Sequence, residues 1–295
     1  MQFHEYHTVY ELAKHDRIGG NEGFVEFYKC RMADAVRDRS RVAITQFGME
    51  FNWLKSKKPY YNIWPSIVAP LLKLNLAIDA SMMIPPIPEL CIRLPVDNNP
   101  MKFEFGGERY EICCMMMSRA EVRGQCGVCL WIDIGETIRT VEGDFTYPVY
   151  TYQNFICAKG KSLEDEILSL PKRAYADVGI ILPQKTLLDC VRLACCLCLL
   201  EQDPEIITAD VLNTDRAKFE ATGDQKYIDK AYRRGKVGWN IGRKLEVSPH
   251  VRIAHTALYW TGLGRTVPRI IFRKGSIIHR KVIEKIPTGY GGDVC

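Results

Sequence analysis

Three of the six histidines, His250, His255 and His279, fall between Pro249 and Lys281, in a stretch that also carries Arg252, Arg265, Arg269, Arg273, Lys274, Tyr259 and Trp260. Imidazole titrates near neutrality, so it can pass a proton or ligate a metal. His250 and His255 are five residues apart. On an extended chain that spacing points them to opposite faces, so a straight strand cannot bring both to one ion. Either alone can act as acid or base if a carboxylate or carbonyl orients it. A hydrogen-bonded histidine at a strand edge fits the same pattern.

Basic and aromatic residues interleave through Tyr232, Arg233, Arg234, Lys236, Trp239, Arg243 and Lys244, leading into Arg252, Tyr259 and Trp260. Guanidinium groups pair phosphates while aromatic faces stack bases. The same residues suit peptide recognition, where aromatics and arginines are the usual anchors. Composition alone does not separate the two.

Other chemistry is thinner. Cys126 and Cys129 have the spacing of half a zinc site, and Cys195 and Cys198 repeat it. The second pair lies in an apolar helical stripe, where cysteine packs as a small hydrophobe. Asp133, Glu136, Glu142 and Asp144 can gather carboxylates for a metal-dependent nuclease, although strand-end acids are usually solvated. No phosphate loop, dinucleotide fingerprint or nucleophile elbow occurs. The expectation is no cofactor and no complete metal-ligand set.

The 295 residues are 47% hydrophobic and 25% charged, the balance of a globular protein. The net charge is only +5, but Thr214 to Lys285 holds 17 Lys/Arg against 6 Asp/Glu. That asymmetry points to an acidic partner, nucleic acid first, or to a solvated basic face near the acidic half of the chain. Twelve cysteines without an apolar leader read as reduced thiols in a cytosol. The longest apolar run, Leu187 to Leu200, is broken by Asp189 and Arg192 and is too short to span a bilayer.

These residues need elements to position them. Val9–His15 and Phe24–Ala35 have helical spacing, and Met82 to Pro88 reads as an extended connector because of its prolines. Lys102–Phe105 and Arg109–Met115 flank Gly106-Gly107, a two-residue hairpin turn. Val128–Ile134 and Tyr147–Ala158 continue an antiparallel meander. Ser162 and Asp165 have capping-box spacing. Lys185–Glu201 is a helix apolar nearly all round, hence buried on two faces. Asp224–Arg234 reads as a charged amphipathic helix ended by Gly235. The fold expected is α+β: a mainly helical section over 1–84, then an α+β core over 85–286 with a central antiparallel sheet, a long buried helix and a basic C-terminal strand region joining the sheet. Residues 287–295 form a flexible tail.

Pro249-His250-Val251-Arg252-Ile253-Ala254-His255, followed by Tyr259-Trp260-Thr261-Gly262 and Gly264, resembles the C-terminal signature of a family of anti-CRISPR proteins. Asn240-Ile241-Gly242-Arg243-Lys244-Leu245 is similar to the segment just ahead of that signature. Leu187 to Ile207, with Gln202-Asp203-Pro204-Glu205-Ile206, is similar to the family's apolar helix and its closing break, and Pro86 to Val96 to the approach to its first strand. The family pattern has a second arginine where this chain has Ile253. The resemblance implies an inhibitor of a type V-A CRISPR effector nuclease, carried by a phage, prophage or other mobile element and working in the bacterial cytoplasm. It implies recognition of the nuclease's nascent N-terminal segment during translation, with loss of its message. The implied partners are that nascent polypeptide and, beside it, the ribosome or mRNA, with no membrane. The residues expected to form the binding surface are His250, Arg252, His255, Tyr259, Trp260, Arg243, Lys244 and Trp239; no catalytic residue is assigned, and the non-enzymatic reading leads. The alternative is an RNA-binding or RNA-cleaving factor of a mobile element, using His250 or His255 as acid or base.

Overall fold

Leu90–Ile92, Cys114–Met117 and Val128–Ile132 are apolar and buried at successive positions because one sheet is covered on both faces. The computed structural model describes residues 1–15, 23–83, 87–122, 125–139, 146–156, 160–170, 173–175, 181–200, 207–209, 213–224, 226–229, 234–239, 255–261 and 267–273. The elements in order are α1 (Val9–His15), α2 (Phe24–Arg37), α3 (Arg41–Lys55), β1 (Tyr60–Ile63), α4 (Pro65–Leu72), a 3-10 turn at Ala80–Met82, β2 (Glu89–Arg93), β3 (Lys102–Phe105), β4 (Glu108–Glu111), β5 (Cys114–Val122), β6 (Gln125–Arg139) and β7 (Thr146–Ile156). They continue with α5 (Leu163–Leu168), β8 (Arg173–Tyr175), β9 (Ile181–Pro183), α6 (Gln184–Leu200), β10 (Ile207–Ala209), α7 (Asn213–Thr222), α8 (Lys226–Asp229), β11 (Arg234–Val237), β12 (His255–Thr261) and β13 (Val267–Arg273). The architecture is α+β, as the sequence predicts.

Seven strands form the main sheet in the order β10-β11-β1-β2-β5-β6-β7. Of the expected antiparallel meander, β2 pairs with β5, β5 with β6 and β6 with β7, but the β3–β4 hairpin forms a separate two-stranded sheet and Arg109–Met115 divides between β4 and β5. The sheet as a whole is mixed, because β1 runs parallel to both β2 and β11. Tyr60–Ile63 is too short to show strand periodicity, so the helical reading of this section passes over it.

Alternation assigns the faces. Leu90, Ile92, Met115, Met117, Leu130 and Ile132 share one core with α4 and α6. Cys91, Cys114, Met116 and Trp131 point the other way, onto Tyr6 and onto Met49 and Trp53 of α3. The sheet is thus the middle of three layers. On the first side α6 is buried nearly all round, including Cys190, Cys195, Cys196 and Cys198, in accord with two packed faces. Arg192 crosses its polar gap to a bidentate pair with Glu164 of α5 and to the Leu74 carbonyl. On the second side α1, α2 and α3 close a smaller core of Val9, Ala13, Phe27, Tyr28, Ala35 and Phe47.

Several expectations are corrected. Asp224–Arg234 is not one helix: α8 covers only Lys226–Asp229, and Arg234 opens β11. Gly235 lies inside that strand opposite Tyr61, where a Cβ would stand 2.5 Å from the ring's Cδ1. It is glycine to admit the ring, not to end a helix. Ser162 occupies the N-cap of α5 without a side-chain bond, its backbone bridged to Asp79 instead. The β12–β13 strands do not join the main sheet; they pair with each other and lie against α4 and α6. Gly106 and Gly107 form the expected turn, both at positive φ, between Phe105 and Glu108. The 287–295 tail, and residues 84–86 of the proline-rich connector, lie outside the described residues. Among the described residues no helix is long and apolar enough to cross a membrane.

Candidate functional site

The signature stretch reaches the described structure at β12. Its register pairs His255 with Arg273, Tyr259 with Arg269, and Trp260 with Pro268. Leu258 and Ile270, also opposite each other, pack on the main core, and Ile270 is 1% exposed. Side chains alternate along a strand. In this register positions 255, 259, 269 and 273 have one strand parity, and positions 258, 260 and 270 the other. Only the cross-strand register pairs Arg269 with Tyr259 and Arg273 with His255. His250, Arg252, Ile253, Arg243, Lys244 and His279 lie outside the described residues, as do Gly262 and Gly264.

Trp239 follows β11 directly. Its ring lies 4.8 Å from Trp64 in an edge-on arrangement and 5.5 Å from Phe3. Lys236 Nζ sits 5.5 Å above it, within cation–π range. Gly238, at φ 77°, lets the chain turn tightly over Ile67, and Trp64 N–H donates to the Val237 carbonyl at 3.0 Å. Trp239 is half-buried against the main core, so it helps hold the N-terminal segment around Phe3 to the sheet whatever else it contacts. Arg234, from the same basic run, is paired with Asp215 at 3.1 Å. Tyr232 and Arg233 lie outside the described residues.

A cavity of about 440 Å³ opens beside Phe3, lined also by His4, His7, Cys113, Asp133 and Glu136. Asp133 and Glu136 are two of the four carboxylates flagged in the sequence; positions 142 and 144 lie outside the described residues. Asp133 is raised to about 6 by burial, against the opposing Gly135 N–H at 2.8 Å. Burial, then the charges of Asp133, Glu111 and Glu136, push the Cys113 thiol up to about 12. A thiol held neutral is no nucleophile. The ligand atoms of His4, Glu111 and Cys113 lie within 4.8 Å of one another. No spacing rule finds this trio, because His4 is more than a hundred residues from its partners.

Cys126 and Cys129 both lie within β6, in extended chain and not in the tight turn of a zinc knuckle, and Cys129 is buried. Cys195 and Cys198 are buried in α6, where Cys198 Sγ touches Met117 Sδ at 3.7 Å. The core reading of that second pair holds.

No curated protein matches the chain at a significant level. Among solved structures, one described as "Crystal structure of AcrVA2" is similar at 16% identity and a TM-score of 0.44, over 75% of this chain and 72% of that one. A family model, AcrVA2-like, the anti-CRISPR type V subtype A2 family, matches residues 87–279. That stretch runs from the first strand of the meander past the β12–β13 hairpin and takes in well over half of the 295 residues, so the chain belongs to the anti-CRISPR type V subtype A2 family.

Proposed function

We propose that this anti-CRISPR protein lowers production of a type V CRISPR effector nuclease by recognising its nascent N-terminal segment during translation, so that message and protein fall together. The observation that carries the reading is family membership across residues 87–279, a stretch that contains the Pro249–His255 sequence and the hairpin after it. The register of β12 and β13 adds a physical reason. His255 pairs with Arg273 and Tyr259 with Arg269 across it, residue types able to anchor a short peptide or the backbone of an RNA. His250, Arg252, Arg243 and Lys244 precede this hairpin in the chain and extend the proposed surface, with Trp239 contributing aromatic area.

The test is co-expression with a type V-A effector, following its message and protein. Two recoded effectors divide the readings. Synonymous recoding of the N-terminal codons keeps the peptide and changes the RNA; the loss of message should persist. Altered residues in that segment should abolish it. Unchanged message and protein, with normal interference, would remove the proposal.

The second reading, an RNA-binding or RNA-cleaving factor, rests on the charge asymmetry of residues 214–285. It requires affinity for unstructured RNA that falls steeply with salt. Purified protein that leaves RNA intact, with His255→Ala behaving as the parent does, argues against cleavage.

A further inference from the structure

We propose that His4, Glu111 and Cys113 form a binding site for a divalent cation of the zinc class, clipping the N-terminal segment to the sheet. Imidazole nitrogen, carboxylate oxygen and thiolate sulfur are the mixed donor set that a borderline-soft divalent ion prefers. The three ligand atoms already lie within 4.8 Å of one another.

Each ligand stands on pinned backbone. His4 N–H donates to the Leu94 carbonyl at 3.0 Å, Val96 N–H donates to the Gln2 carbonyl, and Phe3 bridges to Pro95 between them. Glu111 ends β4, opposite Lys102, whose Nζ is 3.7 Å from Oε2. The other oxygen, Oε1, is left toward His4, 3.1 Å from Nε2. Cys113 donates its N–H to the Asp133 carbonyl at 2.8 Å and accepts from Leu94 N–H at 3.1 Å. Such anchoring fixes ligand positions before any ion arrives.

Two independent features point to an occupant. His4 is only 19% exposed in its side chain, and its Nε2 is buried without a hydrogen bond of proper geometry despite the nearby carboxylate. A buried polar nitrogen left so is costly unless something else engages it. The second feature is Gly135. It sits at φ 78° in the irregular stretch of the β6–β7 ladder between Asp133 and Thr137. A Cβ there would stand 2.8 Å from Cys113 Sγ. The backbone is shaped around the sulfur in a way that only glycine permits.

Three protein ligands leave a fourth position of a tetrahedral ion for solvent, and His4 and Cys113 both face the 440 Å³ cavity. Cys113 binds as the thiolate, releasing its proton to water. His4 lies before the stretch matched by the family, whereas Glu111 and Cys113 lie within it, so the ion would join the family core to a segment outside it.

Cobalt(II) titration of the chelator-treated full chain tests this. One equivalent should give tetrahedral d–d bands with a thiolate-to-cobalt charge-transfer band, and zinc should displace it. C113S should lose the charge-transfer band. H4Q should weaken affinity by about tenfold or more, in the range seen when metal-site partners are removed. C126S and C129S should titrate as the parent does. Circular dichroism checks folding, and if C113S does not fold, H4Q decides. Absence of the bands in the parent, their survival in C113S, their loss in C126S, or unchanged affinity in H4Q would each overturn the site.

Discussion

Tyr28 Oη donates a 2.5 Å hydrogen bond to Glu50 Oε2, and that carboxylate is wholly buried between α1, α2 and α3. Tyr6 Oη at 2.9 Å, Val9 N–H at 3.0 Å and Gln46 Nε2 at 3.4 Å also donate to it. Burial pushes Glu50 up from its ordinary value of 4.5, and the four hydrogen bonds oppose this. The Tyr28 phenol is pushed up as well, by burial and then by the Glu50 charge. A carboxyl raised in the folded state stabilises fully below 4.5 and loses that contribution as pH rises through its folded value. Urea unfolding of Glu50→Gln and the parent across about pH 4 to 8 should therefore show the variant gaining on the parent as pH rises. A constant difference would contradict the buried charge. Glu50→Ala strands two phenols and an amide and should cost about 3 kcal/mol.

Gly235→Ala puts a methyl into the Tyr61 ring, 4% exposed at the centre of the sheet. Overpacking there should cost about 2 kcal/mol in denaturant unfolding. In a Tyr61→Ala background the same change should cost at least about 1 kcal/mol less. Simple additivity would mean that the ring does not cover the glycine.

Arg192, within the apolar stretch of α6 and 13% exposed, is forked onto Glu164, which also accepts from Leu76 N–H at 3.1 Å. Arg192→Met leaves that carboxylate without its cation and should cost about 3 kcal/mol. Arg192→Lys keeps the charge but loses the fork and should recover only part. Adding Glu164→Gln to Arg192→Met should restore stability; thermal unfolding of the set would show it.

On the hairpin, register separates binding from packing. His255→Ala with Arg273→Ala should reduce inhibition of effector production while moving the melting temperature by about 2 °C or less. Leu258→Ala, which removes a side chain packed on the main core, should lower the melting temperature. Intact inhibition in the first variant would displace the proposed surface from this hairpin.

The α6 helix was legible because its stripe of Leu187, Val191, Ala194, Cys195 and Cys198 repeats at helical spacing, and the Gly106-Gly107 turn because only a few residue types accept its backbone. What stayed hidden depends on partners remote in sequence. β1 has four residues and no alternation, and it is a strand because β2 and β11 flank it. Gly235 looked like a helix terminator because Tyr61 is far away in the chain. His4, Glu111 and Cys113 meet only after the N-terminal segment pairs beside Pro95. The β12–β13 hairpin showed its strands but not its separation from the main sheet, since alternation says nothing about which edge a strand joins.

The parallel seam between β1 and β11 sets an order on synthesis. Residues 60–63 leave the ribosome long before residues 234–237, yet the two strands are direct neighbours. Until then β1 is an open edge, and its late partner must close a loop spanning most of the chain, the slow kind of pairing. Truncation between these strands would leave the half-made sheet exposed, so a shortened product should be found aggregated or degraded rather than weakly active.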